Sequence, residues 1–109
     1  MKVTIKDAAS GEVLAEAVDD QARKVEGNWY IAPEAVNAAR LEVTKHDYTC
    51  PYKGTCFYID AVAPDGARTP RVAWVYDHPK SGWEQIKGRY GFYAGEAAKK
   101  MGKTIVVET

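Results

Sequence analysis

Cys50, Pro51, Tyr52, Lys53 and Gly54 form the densest run of chemically capable residues in the chain. A thiol attacks as its thiolate, and a nearby ammonium lowers the thiol pKa. Lys53 lies close to Cys50 in sequence, so the run predicts a nucleophilic or redox Cys50 assisted by Lys53. The competing reading is structural: a small buried residue closing a turn, with Gly54 supplying an unusual dihedral. Catalysis would also require a base. His46-Asp47 and Asp77-His78 each set a histidine beside a carboxylate, and either histidine is a candidate; each also reads as a solvated loop residue.

Other chemistries find less support. His46, Cys50, Cys56 and His78 are residue types that zinc accepts. Structural zinc sites pair their ligands a few residues apart, and the chain has no C-x-x-C. No metal and no cofactor are expected. The phosphate-cradling G-x-x-x-x-G-K-[ST] and G-x-G-x-x-G runs are absent. Asp19-Asp20 reads as a turn in a polar segment.

Aromatic side chains supply a different lead. Trp29, Tyr30, Tyr58, Trp74 and Tyr76 fall on or beside segments that read as strands. Several rings on one sheet face would form an apolar pocket with a few polar handles, the usual form of a small-ligand site. Lys53 or Asn28 would then orient the ligand. Alternatively, the rings fill the core of a small β domain.

The elements that must position these residues are mostly short strands. Met1 to Ile5 alternates, with Val3 and Ile5 on one side; Ser10-Gly11 turns the chain, and Glu12 to Ala17 returns. Arg23 to Ile31 reads as a strand broken by a turn or bulge at Gly27-Asn28. Pro33 to Leu41 suggests a short helix, with Pro33 at its start and Glu34 in the first turn. Leu41 to Thr44 is extended, and His46 to Gly54 reads as a loop. Thr55 to Val62 is the clearest strand, with Phe57, Ile59 and Ala61 on one face and Cys56, Tyr58 and Asp60 on the other. Pro64-Asp65-Gly66 turns it into Arg71 to Asp77, with Val72, Trp74 and Tyr76 expected on one face. Ser81-x-x-Glu84 is a capping box for a short helix over 82–87 that stops at Gly88. Arg89 to Tyr93 is a strand, Glu96 to Met101 a helical turn before Gly102, and Lys103 to Glu108 a last strand with Ile105 and Val107 alternating. No long helix separates the strands, so the pattern predicts a twisted antiparallel sheet or partly closed barrel.

Composition bounds the function. A chain of 109 residues is one domain, large enough for a core of its own. Lysine plus arginine balance aspartate plus glutamate, giving a formal net charge of zero. That argues against nucleic acid and against an anionic membrane surface as partners. The cluster Lys99, Lys100 and Lys103 reads as a solvated face. No apolar stretch approaches the roughly 20 residues of a bilayer span, and no charged-then-apolar leader is seen. Two cysteines are too few for a secreted disulfide framework. A cytoplasmic location with free thiols is therefore expected.

Three segments together carry a family resemblance. They are Glu26-Gly-Asn-Trp-Tyr30 with Pro33, Cys50-Pro-Tyr-Lys-Gly54 with Tyr58, and Ala73-Trp-Val-Tyr76 followed by Pro79 and the Gly88 to Tyr93 strand. Over roughly residues 3 to 95 the chain resembles the domain of unknown function 427 family, found mostly in bacteria and fungi. The resemblance implies a mainly β fold of coiled antiparallel sheets, Mss4-like or β-tent-like, which agrees with the residue pattern of short strands with two or three short helices. Members of that wider group often bind zinc through paired-cysteine knuckles, which this sequence lacks, so zinc does not carry over. The family has also carried a nucleotidyltransferase label, for which no supporting residues are found here.

The expectation is a single-domain, small-molecule-binding β protein. Its pocket would be lined by Tyr58, Trp74 and Tyr76, with Lys53 and Cys50 at the rim and Asn28 a further ligand-binding candidate. The alternatives are a cysteine-dependent enzyme using Cys50 and Lys53, and a structural or protein-interaction module. The ligand and the oligomeric state are not legible in the sequence.

Overall fold

The computed structural model describes residues 1–8, 10–100 and 103–108. Side chains are described for 1–8, 10–95 and 98–100. Met101 and Gly102, and the side chains of Lys103, Ile105 and Val107, lie outside the described residues.

Among the described residues, nine strands form two antiparallel sheets. The smaller sheet has the order β2-β1-β9, with β1 Lys2–Asp7, β2 Val13–Val18 and β9 Lys103–Glu108. The larger has the order β3-β4-β8-β7-β6-β5. Its strands are β3 Ala22–Val25, β4 Asn28–Ile31, β5 Leu41–Cys50, β6 Gly54–Val62, β7 Arg68–Val75 and β8 Tyr90–Phe92. One α-helical turn, α1 Glu96–Lys100, precedes β9, and 3-10 turns punctuate the loops. The mainly β fold of antiparallel sheets is as the sequence predicts.

The two faces of the large sheet have different fates. Val3 and Ile5 of β1 and Leu14, Ala15 and Ala17 of β2 pack with Trp29, Ile31, Ile59, Ala73, Val75 and Phe92 of the large sheet. These side chains are buried, and a fully buried Ile or Phe contributes about 1.5–3 kcal/mol. The opposite face carries Val25, Tyr30, Cys56, Trp74, Tyr76 and Ile86, with Tyr58, Trp83, Tyr93 and Cys50 partly buried against them. Period-two alternation along β6 sorts the residues as expected: Ile59 and Ala61 face the small sheet, and Cys56 and Tyr58 face away.

Several local expectations are corrected. The segment from Pro33 forms two 3-10 turns, Pro33–Ala35 and Ala38–Arg40, in place of a helix. Its apolar stripe is too short to cover the cost of a longer nucleated helix. The stretch 46–50 is strand, not loop: β5 continues to Cys50 through an irregularity between Val43 and Asp47. That irregularity resets the side-chain alternation and hides the strand from a period-two reading. The β3–β4 turn lies at Glu26 and Gly27, one residue earlier than expected, because Val25 pairs with Asn28. Val72 leaves the Trp74–Tyr76 face and joins the inter-sheet core. The register shifts in this part of the β6–β7 ladder, and Arg71 takes a φ of 54°. In the Ser81-x-x-Glu84 segment the Glu84 carboxylate accepts from the Gly82 N–H at 2.9 Å, and the helix is one 3-10 turn, Glu84–Ile86.

Candidate functional site

The face turned away from the small sheet holds a pocket of about 270 Å³. Pairing places its walls in register. Tyr30 on β4 pairs with Gly91 on β8, Gly91 with Trp74 on β7, and Trp74 with Tyr58 on β6. One row thus crosses four strands. A second row brings Tyr48 on β5 opposite Cys56 on β6. Tyr76 and Tyr93 complete the aromatic wall, and Asn28, Cys50 and Lys53 supply polar groups.

Gly91 is what lets the row close. A Cβ at this position would overlap the indole nitrogen of Trp74. Its absence lets the indole lie over the β8 backbone and reach β4, where Nε1–H donates to the Tyr30 hydroxyl at 3.2 Å. The Tyr30 and Trp74 rings meet edge to face at 6.1 Å, and Trp74 and Tyr93 at 4.8 Å. Such pairs contribute about 0.5–1.5 kcal/mol each beyond their burial. Burial raises the pKa of the Tyr30 hydroxyl above its usual value, despite the Trp74 hydrogen bond that works the other way. Burial also raises the Tyr58 and Tyr76 hydroxyls, and Tyr76 rises furthest because it also faces Cys56.

The polar rim is built from two turns. Cys50 ends β5, and the tight turn through Lys53 leads to Gly54, which starts β6 at a φ of 105°. A Cβ on Gly54 would come within 3.4 Å of the His78 carbonyl, so the turn packs tightly on the loop after β7. That loop is tied down further: the Lys80 N–H donates to the Lys53 carbonyl at 2.7 Å, and Lys80 Nζ to the Pro51 carbonyl at 3.0 Å. The Lys53 ammonium pairs with Glu26 at the tip of the β3–β4 hairpin and sits 4.8 Å from the Trp83 ring centre. Burial opposes the Lys53 charge, but the Glu26 carboxylate outweighs it and raises the Lys53 pKa.

The two thiols differ. Cys50 is half-buried at the rim, and the backbone N–H groups of Lys53 and Tyr52 hold its pKa below the ordinary value, with the Lys53 charge adding less. Cys56 is buried, and burial pushes its pKa up. Both are free. His46 and His78 are exposed, and neither lines the pocket. The described residues hold no group of three or more His, Cys, Asp or Glu side chains placed for a metal ion, and no helix long and apolar enough to cross a membrane.

The six residues singled out in the sequence, Asn28, Cys50, Lys53, Tyr58, Trp74 and Tyr76, all line this one pocket. Trp29 does not: it faces the small sheet. Tyr48, Cys56 and Tyr93 were not among those six, and neither was Tyr30. Tyr48 was hidden by the β5 irregularity. Cys56 and Tyr30 carried a usable signal: Cys56 lies two residues before Tyr58 on β6, and Tyr30 lies two after Asn28 on β4.

A family model described as Domain of unknown function (DUF427) matches residues 2–106. No curated protein matches the chain. The chain belongs to the DUF427 family.

Proposed function

We propose that this DUF427 domain binds a small molecule in the aromatic pocket on the open face of its large sheet. The observation that carries this reading is the row Tyr30, Gly91, Trp74 and Tyr58, in which a glycine makes room for an indole at the centre of a tyrosine-lined cavity. A cavity of about 150 Å³ accepts benzene, so about 270 Å³ suits a ligand of one or two rings. Asn28 and Lys53 supply the orienting contacts. A thermal-shift screen of one- and two-ring compounds tests the reading. A ligand at a hundred times its Kd stabilises by about 2.7 kcal/mol, several degrees in Tm for a domain of this size. If no compound of this class raises the Tm, the proposal fails.

A second reading, a cysteine-dependent reaction at Cys50, is favoured by one observation. The Cys50 thiol, half-buried at the pocket rim, has its pKa lowered, chiefly by the backbone N–H groups of Lys53 and Tyr52. A thiolate held this way attacks without a histidine base, which suits a site from which His46 and His78 are both absent. Its mark would be turnover of a pocket ligand that Cys50→Ser abolishes without altering ligand affinity.

A further inference from the structure

We infer that the pocket takes a flat, ring-containing anion, an aromatic carboxylate being the simplest member of the class, with its carboxylate between the Tyr30 hydroxyl and the Lys53 ammonium. This rests on reading the pocket as a ligand site.

The argument starts at Tyr30, which is 2% exposed. Its hydroxyl oxygen accepts from Trp74 Nε1–H, and its own hydrogen has no acceptor among the described residues. A buried donor without an acceptor is costly, so most such groups are satisfied. This one belongs to a residue lining the cavity. The Trp74 bond also polarises the hydroxyl, since each link in a hydrogen-bond chain strengthens the next. The pocket is therefore furnished with an unspent donor.

Lys53 strengthens the bias. An ammonium carries three N–H donors and no acceptor. Glu26 engages it from the hairpin tip, and the Lys53 side chain is only 17% exposed. The Arg71 guanidinium lies 5.6 Å from the Tyr58 ring centre and adds a second cation near that wall. Among the described residues, no Asp, Glu or His side chain lines the cavity. The lining group most able to carry negative charge is the Cys50 thiol, whose pKa the Lys53 and Tyr52 backbone N–H groups lower. A cationic ligand would find ring faces, while the nearest carboxylate, Glu26, is already engaged by Lys53. An anionic ring finds both stacking surface and donors.

Dissociation constants for benzoate, benzyl alcohol and benzylammonium test this, read from tryptophan fluorescence on the native chain, Tyr30→Phe and Lys53→Gln. Benzoate is expected to bind at least about tenfold more tightly than the other two, because hydrogen bonds to a charged group are the strong ones. Tyr30→Phe keeps the ring and should weaken benzoate about tenfold, leaving benzyl alcohol within about twofold. Lys53→Gln, at the rim, should weaken benzoate in the same selective way even if Tyr30→Phe fails to fold. If benzyl alcohol or benzylammonium binds as tightly as benzoate, the anion inference is overturned and the pocket reading stands. If neither variant weakens benzoate selectively, the inference is also overturned. If none of the three compounds binds, both readings are overturned together.

Discussion

Gly91 and Trp74 face each other across the β7–β8 ladder, and the indole occupies the space that any Cβ at position 91 would take. The consequence reaches a third strand. Across the bare backbone of β8, Trp74 on β7 hydrogen-bonds Tyr30 on β4. One wall of the pocket is thus set by a missing side chain.

Gly91→Ala should therefore displace the indole and break its bond to Tyr30. Overpacking of this kind costs about 1–3 kcal/mol. Urea unfolding should show that loss, together with a changed tryptophan emission. Stability within about 0.5 kcal/mol of the native chain would mean that the ring has somewhere else to go.

Cys50 should alkylate well before Cys56. Its pKa lies below the ordinary thiol value, held there chiefly by two backbone N–H groups, and it sits at the rim. The midpoint of its pH–rate profile should fall below about 8.5, the unperturbed value. Because the backbone contributes more than the lysine, Lys53→Gln should raise that midpoint only slightly. Cys56, buried and with its pKa raised, should resist reagent until the chain unfolds.

Alkaline pH should destabilise the fold. Burial raises the pKa values of Tyr30, Tyr58, Tyr76 and Cys56 in the folded chain. Once unfolded, tyrosine ionises near about 10 and cysteine near about 8.5. Above those values the unfolded chain has released protons that the folded chain keeps, so stability falls as pH rises. Cys50 acts in the opposite sense, adding stability as pH climbs through its lowered value. With three tyrosines and Cys56 against it, Tm should decline above about pH 10, and Tyr76→Phe should flatten the decline. A Tm unchanged into that range would contradict the burial of these hydroxyls.

The Lys53–Glu26 pair should matter little for stability. The Glu26 side chain is more than half exposed, and pairs of this kind contribute less than about 1 kcal/mol. Glu26→Gln should thus change the unfolding free energy by less than that, with the difference shrinking as salt is added. A loss above about 2 kcal/mol would show that the pair anchors the hairpin instead.

Much of the fold was legible because alternation on β1, β2 and β6 is regular, and each of these strands has one face in the inter-sheet core. Legibility failed where the register slips. The irregularity between Val43 and Asp47 made a strand resemble a loop, and the register shift beside Arg71 sent Val72 to the wrong face. Asn28, Tyr58, Trp74 and Tyr76 were found as site candidates because polar and aromatic residues on strands are conspicuous. Tyr30 reads from the sequence as a ring, not as a donor. Its role depends on a hydrogen bond spanning 44 positions and on a glycine opposite it, and neither has a local sequence signature.

The central claim, a ligand pocket over Trp74, is most directly tested by the Trp74 Nε1–H resonance in a two-dimensional ¹H–¹⁵N NMR titration with benzoate and benzyl alcohol. The account predicts that this signal and the amides of Asn28 and Tyr58 shift and saturate together, while the Nε1–H of Trp29, on the face packed against the small sheet, stays still. An unmoved Trp74 signal, or shifts spread over both faces without saturation, would contradict it.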